Sequence, residues 1–87
     1  MPIGQPELTD PLILAIGRSG GHASKKQTLI AMAGMIEDKL DDDDWQIVGD
    51  PRKSEASWEN KAAWERNRLV DEGLLLNIQR DDWRLSD

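Results

Sequence analysis

The sequence predicts a mainly α-helical domain with a small β-hairpin, an α+β class, on three observations. Ser24 is followed three residues later by Gln27, the pattern of a helix capping box, and opens a stripe of Leu29, Ala33 and Ile36 at i, i+4 and i+7. A longer segment from Trp58 to Glu72 follows Ser57, a capping residue, and precedes Gly73, which suits the position just past a helix end. Beyond it, Leu74-Leu75-Leu76 and Trp83-Arg84-Leu85 flank the polar Gln79-Arg80-Asp81-Asp82, so two short apolar strands are joined by a turn.

The elements follow in order. The first helix is expected from about Pro6 to Arg18, with Thr9 or Asp10 as N-cap, Pro11 tolerated in the first turn, and apolar Leu12, Ile13, Ala15 and Ile16 behind it. Ser19-Gly20-Gly21 stops it, and His22-Ala23 forms a short extended stretch. The capped helix then runs from about Lys25 to Ile36, with Met32 beside its stripe. The Asp run after it is expected to open a third, short helical segment through about Val48, because carboxylates suit the dipole and the unpaired N–H groups of a helix start. Gly49-Asp50-Pro51 ends that segment, and residues 52–56 read as a loop before the last helix.

Helix, short strand, helix, short helix, helix, hairpin is the order of a winged helix-turn-helix, a three-helix core carrying a β-ribbon wing. A plain helical bundle would leave the apolar ending without a role. Leu69, Leu74, Trp83 and Leu85 are expected to be buried together, with Trp58 also in the core.

Composition bounds the function. With 87 residues and 38% hydrophobic content, the chain fits one domain over residues 1–87. Without Cys there is no disulfide framework or thiolate metal site, and a single His leaves carboxylates as the main ligands, so no cofactor or metal is expected. The absence of Cys suits a reducing, cytoplasmic setting. The opening MPIGQPELTD lacks the basic and apolar regions of a signal peptide, and no apolar run approaches the ~20 residues of a membrane span, so no membrane partner is expected.

Net charge is −6, but it is unevenly placed. Residues 37–44 hold six carboxylates against Lys39, a local net of −5, whereas residues 52–68 carry a local net of +2. The Asp41 to Asp44 run lacks the alternating spacing of a calcium loop and reads as a solvated helix start. His22 has no nucleophile or second His near it in sequence and reads as a structural side chain. No Walker motif, HExxH or nucleophile elbow occurs, and no catalysis is expected of the domain.

The arrangement WEN…W…L…GLL, followed after a short turn by WRLS, resembles the N-terminal winged-helix domain of Mrr-type restriction proteins. The resemblance runs from PLILAIGRSGGHASKKQTLIAMA to DWRLSD and rests on Trp58, Glu59, Asn60, Trp64, Leu69, Gly73, Leu74, Leu75, Trp83, Arg84 and Leu85. Glu65 stands where that family usually has a small apolar residue. The resemblance implies a non-catalytic part that recognises double-stranded, foreign or modified DNA, and a C-terminal nuclease domain as its partner in a longer protein.

On a helical wheel, Trp58, Ala62, Glu65, Leu69 and Glu72 fall on one side of the last helix, and Asn60, Ala63, Trp64 and Asn67 on the other, edged by Lys61 and Arg68. Asn can pair bidentately with adenine, Ala or Trp can contact a base methyl, and Lys and Arg reach phosphate or guanine, so the second face suits a major groove. Two residues carry an alternative: Trp64 can instead pack under the wing or against the first helix, and Asn60 can instead be a capping partner of Ser57. Lys25 and Lys26, set against the dipole at a helix start, are placed to meet a phosphate backbone. Arg80 in the turn and Arg84 on the strand after it are where a wing would touch DNA, although Asp81 and Asp82 adjoin Arg80.

Two functions follow from different classes. One is a DNA-binding winged helix using Asn60, Lys61, Ala63, Trp64, Asn67, Arg68, Lys25, Lys26 and Arg80. The other is a protein-interaction winged helix that assembles a larger restriction or regulatory complex, with the acidic segment meeting a basic partner.

Overall fold

The computed structural model describes residues 3–48, 55–78 and 81–86. Three helices carry the core: α1 (Thr9–Arg18), α2 (Lys25–Ile36) and α3 (Ser57–Asp71). Among the described residues five short strands accompany them: β1 (His22–Ala23), β2 (Ile47–Val48), β3 (Glu55–Ala56), β4 (Leu75–Leu76) and β5 (Trp83–Leu85). They form two antiparallel sheets, one in the order β1-β5-β4 and the other β2-β3.

The expected first helix is divided. Gln5–Leu8 is a 3-10 turn and α1 begins only at Thr9, so neither Thr9 nor Asp10 is the N-cap. Both α1 and α3 end where glycines were expected to stop them, and for the same reason. Gly20 and Gly73 adopt φ of 92° and 83°, which side chains other than Gly rarely adopt. At α1 the Gly20 and Gly21 N–H groups donate to Gly17 and Ile16 carbonyls, and at α3 the Gly73 and Leu74 N–H groups donate to Val70 and Leu69 carbonyls. Each end is thus a Schellman motif that satisfies otherwise unpaired carbonyls.

The capping box at α2 forms as its sequence requires: Ser24 Oγ accepts from Gln27 N–H, and Gln27 Oε1 accepts from Ser24 N–H. The start of α3 is different. Its N-cap is Ala56 rather than Ser57, and Glu59 rather than Asn60 reaches back to accept from the Ala56 N–H at 2.9 Å. Asn60 is therefore no capping partner of Ser57.

The acidic segment departs furthest from expectation. After a 3-10 turn at Glu37–Lys39, residues 42–46 are turns and a bend, and Ile47–Val48 is a strand, so the third helical segment does not form. Asp44 is fully buried, not solvated: its Oδ1 accepts from Ile3 N–H at 2.9 Å and its Oδ2 from Asp41 N–H at 3.0 Å. The same turn presents the carbonyls of Gln46 and Asp44 to the N–H groups of Ser57 and Trp58, at 2.8 and 3.1 Å. Asp side chains that accept from nearby backbone N–H groups compete with helix, and here the turn also serves the first N–H groups of α3. The expected loop over 52–56 holds a strand at its end, β3, which pairs with β2 through Ile47 with Ala56 and Val48 with Glu55. Residues 49–54, including the expected Gly49-Asp50-Pro51 stop, lie outside the described residues.

The core joins Leu8, Leu12, Ala15 and Ile16 from the first segment, Leu29, Met32 and Ile36 from α2, Trp58, Ala62 and Leu69 from α3, and Leu75 and Trp83 from the sheet. Trp58 and Trp83 are buried as expected, and Leu69 meets Leu75, not Leu74, as the buried strand residue. Leu74 is 47% exposed because its backbone belongs to the Schellman turn, and the strand starts one residue later. Leu85 packs against the core from a partly buried position. Among the described residues no helix is long and apolar enough to cross a membrane.

Candidate functional site

The outer face of α3 is the most distinctive surface. Fifteen residues at 1.5 Å rise make a helix about 22 Å long, whose inner stripe, Trp58, Ala62, Glu65 and Leu69, is buried. The opposite side presents Asn60, Trp64 and Asn67 one turn apart. Trp64 is 61% exposed, so it packs neither under the hairpin nor against α1. Asn67 is exposed and Ala63 is partly buried against the core, so Ala63 contributes little to this face.

The cations expected to flank this face have different fates. Lys61 Nζ donates to the Ile3 carbonyl at 2.8 Å, which ties the N-terminal segment to α3. Arg68 is held by two carboxylates, with Nη2 2.6 Å from Glu65 Oε2 and Nη1 2.6 Å from Glu72 Oε1. Glu65, 1% exposed at its side chain, is the reason. A carboxylate removed from water needs a partner, and Glu65 also accepts from Thr9 Oγ1 and Gln5 Nε2. Arg68 beside it, helped by these two donors, holds the Glu65 carboxyl down to about 2 despite burial, while the same contact raises the Arg68 guanidinium above its ordinary range. Thr9, read from sequence as a helix cap, is a ligand of this buried carboxylate instead.

The α2 start is stitched to its neighbours. Lys25 Nζ lies 2.7 Å from Glu55 Oε1, and Glu55 Oε2 accepts a long 3.4 Å hydrogen bond from Asn60 Nδ2. The Lys25 N–H donates to Asp81 Oδ1 at 3.0 Å, across 56 residues of sequence. Asp81, at φ 58°, thus brings the hairpin turn to the N-terminus of α2. Asp82 accepts from Arg84 at 3.0 Å and lies 3.7 Å from His22 Nδ1. These two carboxylates therefore face protein partners. Lys26 is exposed, and Arg80 lies outside the described residues.

Sequence reasoning missed Arg66. Its Nη1 donates to Asn67 Oδ1 at 3.1 Å, its Nη2 donates to Asn77 Oδ1 at 3.2 Å, and its Cζ lies 5.9 Å from the Trp83 ring centroid. Among the described residues no carboxylate lies within ion-pair distance of it. On the helical wheel Arg66 falls beside the core stripe, and the only signal for its role was the pair of amides, one of which is eleven residues away.

The outer face of α3 offers amide donors and acceptors, one indole face and a few cations. Among the described residues no group of three His, Asp or Glu is placed to hold a metal ion. No protein-family model matches the chain, and comparison with curated proteins and with solved structures returns no match.

Proposed function

We propose that the domain is a DNA-binding winged helix-turn-helix whose last helix enters the major groove of a duplex. The observation that carries the reading is Trp64: a large apolar side chain 61% exposed on the outer face of α3, set between Asn60 and Asn67. Keeping indole in water forgoes the ~2–3 kcal/mol that burying a large apolar side chain returns, and an exposed Trp ringed by amides is the composition of a recognition surface. Asn60 and Asn67 supply adenine-compatible amides, and Trp64 an apolar face for a base methyl. Lys25 meets Glu55, just before α3, and its N–H meets Asp81 of the hairpin turn, and the exposed Lys26 beside it is in keeping with a phosphate backbone running past the α2 start.

The helix–strand–helix–helix–hairpin order and the β1-β5-β4 sheet are in keeping with a winged helix. The resemblance to the N-terminal domain of Mrr-type restriction proteins supports a narrower form. In it, the domain is non-catalytic, works in the cytoplasm, and delivers a C-terminal nuclease to methylated or foreign duplex. Because Arg68 and Lys25 are paired with carboxylates, few phosphate contacts remain, and the isolated domain should bind in the micromolar range or weaker with a shallow salt slope.

A titration tests this: labelled duplexes with methylated and unmethylated adenine and cytosine, at two salt concentrations. Binding that weakens with salt and is lost in Trp64→Ala supports the reading. The same paired cations, with the exposed Glu37, Asp38, Asp42 and Asp43, favour the second function, a protein-interaction winged helix with a basic partner. Failure of every duplex to bind at low salt would select it.

A further inference from the structure

Resting on the duplex reading, we propose that Arg66, clamped between Asn67 of α3 and Asn77 just past β4, is the anchor for a backbone phosphate where the last helix meets the hairpin. Three observations converge on it. First, its two guanidinium hydrogen bonds are to amide oxygens, which orient the group but carry no charge, so among the described residues no carboxylate compensates its positive charge. Second, each amide that accepts through Oδ1 keeps its NH2 group as a donor, so guanidinium and amides form a cluster of donors suited to an anion. Third, the stem is fixed: Nε is buried, and the guanidinium lies over Trp83, 5.9 Å from the ring centroid.

Position identifies the occupant. Asn67 is on the outer face of α3 with Trp64, and Asn77 leads into the hairpin turn, so the cluster bridges the two elements between which one strand of a groove-bound duplex would pass. A phosphodiester oxygen there would accept from a guanidinium that needs no reorganisation. Arg68, one edge away, cannot serve in this way, because its charge is shared with Glu65 and Glu72.

The experiment measures binding of an unmodified labelled duplex by anisotropy across a salt series, for the wild-type chain, Arg66→Gln and Asn77→Asp. Asn77→Asp keeps the arginine and its packing but sets a carboxylate against Nη2, which neutralises the anchor without removing it. Both variants should bind about five- to tenfold more weakly at 0.1 M salt, with the salt slope reduced by about 0.9, the value of one lost phosphate contact. Trp64→Ala should weaken binding without changing the slope, since a base contact releases no counterion. If the wild-type chain binds and Asn77→Asp, shown folded by its melting curve, keeps the full slope, the anchor is overturned and the duplex reading stands. If the wild-type chain binds no duplex, both are overturned.

Discussion

Arg66 and Arg68 stand two residues apart on α3, yet the two edges of the helix treat charge in opposite ways. On the edge facing the N-terminal segment, the buried Glu65 recruits Arg68, Thr9 and Gln5. On the edge facing the hairpin, Arg66 is held by two asparagines and a Trp ring. The first arrangement is an internal compensation, needed because a desolvated carboxylate without partners costs several kcal/mol. The second costs no charge. Counting basic residues on a helix thus overstates what it offers a ligand: a cation is available only if nothing buried nearby needs it.

The largest expected effect sets the scale, on the inner stripe between the edges. Leu69→Ala should lose ~2–5 kcal/mol in thermal or urea unfolding, because Leu69 is fully buried and its removal leaves a cavity. On the carboxylate edge, Arg68→Ala should lower the melting temperature, by less than Leu69→Ala does, because Arg68 is half-exposed and Thr9 and Gln5 still donate to Glu65. Pairing it with Glu65→Leu should recover much of the loss, and a double variant as unstable as the single one would break the compensation account.

The pH dependence sharpens the same edge. The folded Glu65 carboxyl titrates at about 2 against 4.5 ordinarily, so its stabilisation is fully present above about 4.5 and is lost as pH falls towards 2. That amounts to ~2–3 kcal/mol after discounting for solvent around Arg68, readable as a drop in melting temperature over that acid range. In Arg68→Ala the folded carboxyl rises back towards its ordinary range, so the drop over these pH values should shrink, and an unchanged acid limb would dissociate Arg68 from Glu65.

On the hairpin edge the effects on folding are smaller. Arg66→Gln should cost ~1 kcal/mol, the worth of an indole contact and two uncharged acceptors, and a loss as large as that of Arg68→Ala would erase the distinction between the edges. Smallest is Trp64→Ala, within ~0.5 kcal/mol, because the side chain is exposed. Iodide quenching of the free wild-type chain should show two accessible Trp, Trp64 and the half-exposed Trp45, against the buried Trp58 and Trp83, with the accessible fraction falling by about half in the variant. An accessible fraction unchanged by the substitution, or a large loss of stability, would return Trp64 to the core.

Much of the frame was legible locally. Ser24 with Gln27 marks the start of α2, glycines with positive φ end α1 and α3, and the 3.6-residue period separates the inner stripe of α3 from Asn60, Trp64 and Asn67. Such signals involve residues within one or two turns of each other, so periodicity and capping chemistry suffice to read them. Four consecutive Asp residues misled because their character as helix starters is a local preference, whereas Asp44 Oδ1 is claimed by the N–H of Ile3, 41 residues away. Leu74 and Leu75 are equally apolar, and only the Schellman turn and strand register decided which is buried.

The candidate site divides along the same line. Sequence alone determined which residue types occupy each face of α3, because side-chain direction on a helix follows from backbone geometry. Only the tertiary structure decided how each charge is used: Arg68 is spent on a buried carboxylate, Lys25 on Glu55, and Asp81 on a backbone N–H across the molecule, while Arg66 meets two amides and the Trp83 ring and, among the described residues, no carboxylate. Electrostatic pairing is set by distances in space and by desolvation, and neither is a property of neighbours in a sequence.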